Sequence, residues 1–186
     1  MRNGYVINVT AVDRPGIVAG VSSAIVKLQG NIESCSQTVL DGYFTLIMTF
    51  STPNELDVDA VKDQILQEKG LENCQAILFP ARPSDSRRLE PSQNLFVITA
   101  FGADCEGIVS QFTRYLESKE INIIDLYAYI TEDGEFVLIC QVEFGLQLDV
   151  KNIQYDLEAL GEQVGFTVRI QHNNVFVATN QIRLDR

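Results

Sequence analysis

The chain is written twice. Tyr5 to Val12 has the β-branched and aromatic content of a strand, Asp13-Arg14-Pro15-Gly16 breaks it, and Ile17, Val21, Ile25 and Leu28 follow at helical spacing. Further along, Asn94 to Phe101, the break Ala103-Asp104-Cys105-Glu106-Gly107, and Ile108, Phe112 and Leu116 repeat that order. Gly16 and Gly107, Asp13 and Asp104, and Asn31 and Asn122 each lie 91 residues apart. The offset grows by one after the longer second hairpin, so Phe44 matches Phe136 and Leu46 matches Leu138. A period this long means two domains and not a solenoid.

Each copy holds six elements. In the first, Pro15 suits the opening turn of a helix and Gly30 its end. A strand runs from Asn31 to Leu40, Asp41-Gly42 is a hairpin signal, and Tyr43 to Phe50 returns. Leu56, Val58, Val61, Ile65 and Leu66 predict a second helix stopped by Gly70, and Cys74 to Phe79 a fourth strand. In the second copy, strands Asn122–Ile130 and Glu135–Phe144, a helix through Val150, Ile153, Leu157, Leu160 and Val164, and a strand Phe166–Gln171 complete the pattern. The fold class is α+β: two ferredoxin-like βαββαβ domains in tandem, each an antiparallel sheet with helices on one face. Residues 1–80 form the first domain and 94–186 the second. Residues 81–93, with Pro83, Pro91, Arg87-Arg88 and no apolar period, form a linker. The tail beyond Asn173 reads as either a helix or a strand, with Val175, Phe176, Ala178 and Ile182 fitting a short helix.

Composition narrows the function. A net charge of −11 over 186 residues disfavours nucleic acid, whose phosphates call for clustered Lys and Arg. No apolar run reaches the roughly 20 residues of a membrane span. Four cysteines without a CxxC pair, and a single histidine, argue against zinc. Free thiols and a start that runs straight into a strand predict a cytoplasmic protein. No pair of carboxylates recurs, and Cys105 has no base nearby in sequence, so we expect no enzyme, no cofactor and no metal.

The strand-to-helix turns carry what chemistry there is. Unpaired amides at a helix start can receive a carboxylate, and Gly16 lets a ligand approach the backbone. Asn31, opening the next strand, offers a donor and an acceptor. Asp13 and Asp104 fit helix N-caps as well as ligand groups. Gly16, Gly107, Asn31 and Asn122 equally fit positions that turn geometry alone requires.

Asp13-Arg14-Pro15-Gly16-Ile17 followed by Gly30-Asn31-Ile32 resembles the ACT family of small-molecule-binding regulatory domains. The resemblance covers nearly the whole chain outside the linker, and is weaker in the second half, where Cys105-Glu106 replaces Arg-Pro and Glu120-Ile121 precedes Asn122. A stand-alone pair of such domains is similar to the glycine cleavage system transcriptional repressor group. The resemblance implies a ligand site at Asp13, Arg14, Pro15, Gly16, Ile17, Asn31 and Ile32, with Asp104, Gly107, Ile108 and Asn122 as the second set. It implies an amino-acid ligand, sites at interfaces between such domains, a homodimer, and action through a regulatory protein partner, with transcription of amino-acid metabolism as the output. The alternative is a protein–protein adaptor with vestigial ligand sites.

Overall fold

The computed structural model describes residues 2–81, 94–145 and 147–180. They divide into two compact units. Of the segment read as a linker, all but residue 81 lies outside the described residues, as does Ile182 of the tail.

The first unit contains β1 (Asn3–Val12), α1 (Ile17–Lys27), β2 (Asn31–Leu40), β3 (Tyr43–Thr52), α2 (Val58–Leu66) and β4 (Gln75–Pro80). The sheet order is β2-β3-β1-β4, antiparallel throughout. Alternation sets its faces. Tyr5, Ile7 and Val9 of β1 and Phe44, Leu46, Met48 and Phe50 of β3 are buried against Ile17, Val21 and Ile25 of α1 and Val61 and Ile65 of α2. The β2–β3 hairpin turns on Asp41 (φ 50°) and Gly42 (φ 79°), the positive pair a two-residue turn needs.

The second unit repeats the order with β5 (Leu95–Ala103), α3 (Ile108–Ser118), β6 (Asn122–Ile130), β7 (Glu135–Glu143), α4 (Val150–Gln163) and β8 (Phe166–His172), sheet order β6-β7-β5-β8. The tail is a helix, α5 (Asn173–Asn180), packed on β5 and β8. Gln141 Nε2 donates to Asn173 Oδ1 at 3.1 Å and ties the start of α5 to the sheet. The two helices on the other face are clasped where the Tyr115 hydroxyl donates to Asp156 (2.9 Å) and Lys119 lies 3.3 Å from the same carboxylate.

Several local readings need correction. Both first helices begin at a glycine N-cap, Gly16 and Gly107, with no side-chain cap, so neither Asp13 nor Asp104 caps a helix. Pro15 therefore precedes the helix instead of opening it. α2 ends at Leu66, well before Gly70. At the end of α1 the left-handed residue is Gln29 (φ 56°), not Gly30. The Gln29 amide donates to the Val26 carbonyl and the Gly30 amide to the Ile25 carbonyl, a Schellman pair. Gly30 is glycine for space: a Cβ there would stand 2.6 Å from Ile25 Cγ2 and 2.9 Å from Ile25 O. α3 ends the same way with Glu120 (φ 55°), but its following residue is Ile121, which is buried.

This position should therefore be sensitive for opposite reasons in the two copies. Gly30→Ala overpacks and is expected to cost about 1–3 kcal/mol. Ile121→Ala empties a core site and is expected to cost about 2–5 kcal/mol. Urea denaturation of the full chain, followed by circular dichroism, checks both.

Candidate ligand site at the strand-to-helix turn

β1 ends at Val12, and the chain must reverse into α1 within four residues. The Asp13 amide donates to the Gly42 carbonyl at 2.8 Å, which fastens the turn to the β2–β3 hairpin. Gly16 then adopts φ 104°, a conformation side chains other than glycine's rarely take. Its carbonyl accepts from the Gly20 amide and starts the helix. Ile17, next in line, is buried in the core. With no side-chain cap, the amides of the first turn of α1 have neither an intrahelical nor a side-chain partner.

Those residues line an open cleft of about 600 Å³, bordered by Asp13 to Ala19, Gln37 of β2 and Phe44 of β3. That volume suits a small ligand, since ligand pockets span roughly 300–1,000 Å³. The cleft offers amides and a helix N-terminus for an anion, the Asp13 carboxylate for a cation, and the Gln37 amide for either.

Arg14 has a second task. Its guanidinium donates to the carbonyls of Val12 (3.2 Å), Gly70 (3.3 Å) and Glu72, and lies 3.4 Å from Cys74 Sγ. It clamps the loop between α2 and β4 under the turn. The Glu72 carboxylate completes the brace by accepting the Gly70 amide. Hydrogen bonds from its own amide and from that of Gly70 hold the Glu72 carboxyl below its ordinary 4.5, with the charges of Arg14 and Lys69 adding to them. The loop approaches closely because both sides are glycine: a Cβ on Gly70 would stand 2.9 Å from Gly16 O.

The residues that sequence reasoning grouped together are divided by the sheet register. Asp13, Arg14, Pro15, Gly16 and Ile17 share the cleft. Asn31 lies opposite Ser51, which lies opposite Gly4, at the far end of the sheet from Val12. Ile32, opposite Phe50, is there too. In the second unit Asp104, Gly107 and Ile108 sit at the start of α3, while Asn122, opposite Glu143 and so Leu95, is again at the other end. α1 and α3 carry the chain back along the sheet, so the residue after each helix cannot share an end with the residue before it. Gln37, which the structure adds to the cleft, had no sequence signal beyond strand alternation.

The second turn is built differently. Gly107 keeps the left-handed conformation (φ 82°), but Cys105 stands where Arg14 does, and Glu106 where Pro15 does. Among the described residues no guanidinium clamps it, and a carboxylate replaces the ring.

The family profile of the ACT domain matches this chain twice, over residues 5–72 and 94–171. The chain belongs to the ACT-domain family. It is a tandem ACT-domain protein: each matched segment lies within one of the βαββαβ units described above. A UPF0237 protein of Methanococcus maripaludis is 34% identical over 87 residues, 46% of this chain and 96% of that protein. A UPF0237 protein of Streptococcus pneumoniae is 42% identical over 59 residues, 32% of this chain and 67% of its own length. Among solved structures, an unknown protein from Galdieria sulphuraria superposes with a TM-score of 0.75 at 23% identity, covering 92% of this chain and 98% of that one. A putative glycine cleavage system transcriptional repressor does so with 0.63 at 18% identity, covering 93% and 99%. These two likenesses show the shared fold. Among the described residues, no helix of this ACT-domain protein is long and apolar enough to cross a membrane.

The clamp gives two expectations. Arg14→Ala removes charged hydrogen bonds to three carbonyls and should cost about 1.5–3 kcal/mol in chemical denaturation, whereas Cys105→Ala should stay within about 1 kcal/mol. Because the Glu72 pKa is lowered on folding, its stabilisation is present above 4.5 and is lost as pH falls through the folded value. Acid titration of thermal stability should show this limb shrink in Glu72→Gln.

Proposed function

We propose that this ACT-domain protein is a non-catalytic regulator that takes an amino acid, or a similar small carboxylate, at the turn Asp13–Ile17 and acts through a protein partner. The cleft at the uncapped start of α1 carries this reading. The first-turn amides receive the carboxylate, Asp13 draws the ammonium, and the side-chain-free Gly16 admits the ligand to the backbone.

Asn31 joins the site through a second copy. β2 is an outer strand of its sheet, and all ten of its residues are exposed. If two β2 strands pair antiparallel in a centred register, Asn31 of the partner subunit falls beside Leu40, next to the hairpin that holds Asp13. A ligand bridging the two copies favours the homodimer by mass action, and that shift of population is the signal. The place of the protein is then in the cytoplasm, sensing amino-acid supply. Its full-length likeness to a putative glycine cleavage system transcriptional repressor supports transcription of amino-acid metabolism as the output. The second turn, with Glu106 in place of Pro15, favours an adaptor role for that unit, because an acid there repels a carboxylate ligand.

A thermal-shift screen of the full chain against the twenty amino acids tests the reading. A ligand at a hundredfold excess over Kd stabilises by about 2.7 kcal/mol, so one or two amino acids should raise the melting temperature. No response to any of them would overturn the sensor and leave the adaptor. Ala19→Glu then tests the cleft without disturbing Gly16. Ala19 is exposed, and an acid in the first helical turn favours the helix. We expect this variant to lose the ligand response while melting no lower than wild type in its absence.

A further inference from the structure

We propose that the helix-free face of the first unit's sheet is an interface with the same face of a second copy. One side of this sheet is covered by α1 and α2. On the other, the register sets Val6 beside Phe79, Asn8 beside Ile47 and Ile77, and Val12 beside Tyr43. Val12 and Tyr43 are each 67% exposed, Ile77 63%, Ile47 47% and Phe79 46%.

The second observation is the distribution of charge. In a chain that is 21% charged, β1, β3 and β4 contain no charged residue, and the one in β2, Glu33, sits at the bulge between Ile32 and Ser34. The strands of the second unit do carry charge: Asp125, Glu135, Glu143 and Arg169. Cores of protein interfaces are depleted in charge in just this way.

The second unit also shows what such a face requires. There α5 lies over the sheet, and Val97, on the side away from α3 and α4, is only 3% exposed. Its counterpart in the first unit, Val6, is only half-buried. The sequence following β4, residues 81–93, carries no apolar period.

Charge also selects the occupant. A two-fold contact sets a patch against the same patch of its copy, so a face carrying the chain's acidic excess, −11 overall, would repel itself. An uncharged face pairs with its own copy without that penalty. A basic or acidic partner would find no complementary charge on it. The size is adequate. Four strands about 4.8 Å apart and up to ten residues long give a projected face of roughly 600 Å². The accessible area of its side chains exceeds that projection, and a stable interface takes about 800 Å² from each partner. The pairing of β2 edges leaves this face open, so the two contacts are independent.

Sedimentation equilibrium of the full chain without ligand tests the proposal. Wild type should assemble, and Ile77→Lys with Phe79→Lys should halve its mass. Val26→Lys, on an exposed apolar residue of α1, should leave the mass unchanged. If the lysine pair does not fold by circular dichroism, Ile77→Ala with Phe79→Ala decides, with an expected rise of at least tenfold in the dissociation constant. A monomeric wild type, an unchanged mass in the variants, or an equal loss in Val26→Lys would each overturn the interface. The variants leave the cleft intact, so their thermal response to amino acids reports on the ligand site separately.

Discussion

Each unit turns from its first strand into its first helix within four residues, through a glycine at positive φ. This reversal lays α1 or α3 across the sheet and buries Ile17 or Ile108 as the first residue of the helix. It also forbids a side-chain cap, because the N-cap position has no side chain. The first-turn amides are left without partners, and the same constraint that builds the core opens the cleft.

The two copies keep this turn and spend the rest of the pattern differently. In the first, Arg14 and Gly70 lock the α2–β4 loop beneath the turn, so a change of one side chain reaches both the loop and the cleft. In the second, Cys105 and Glu106 occupy the corresponding places, and no described residue clamps the turn. The sheets diverge in a similar way: α5 covers part of one helix-free face, while the corresponding face of the other is uncharged and exposed. Duplication thus supplied one fold twice, and the substitutions at turns and strand faces separated a copy with a clamped turn and an open sheet face from one whose sheet is capped by α5.

Most of the architecture was legible because alternation and helical spacing are strong over elements of nine to eleven residues. Details at the ends were not. Gln29 and Glu120 take the left-handed position usually given to glycine, and the collision a Cβ on Gly30 would make depends on Ile25, five residues earlier. Arg14 read as a ligand group, since nothing in the order of residues shows that the carbonyls of Gly70 and Glu72 lie within its reach. Gln37 enters the cleft only because the β2–β3 register places it there.

The sequence by itself determined the duplication, the βαββαβ order, the apolar faces and the glycine turns, because each is a local or periodic property of neighbouring residues. Tertiary structure alone decided which residues meet. It put Asn31 at the opposite end of the sheet from Gly16, gave Arg14 its carbonyls, and set the uncharged strand positions side by side as one surface. Those outcomes rest on strand register and on contacts between residues distant in the chain, which no local pattern encodes.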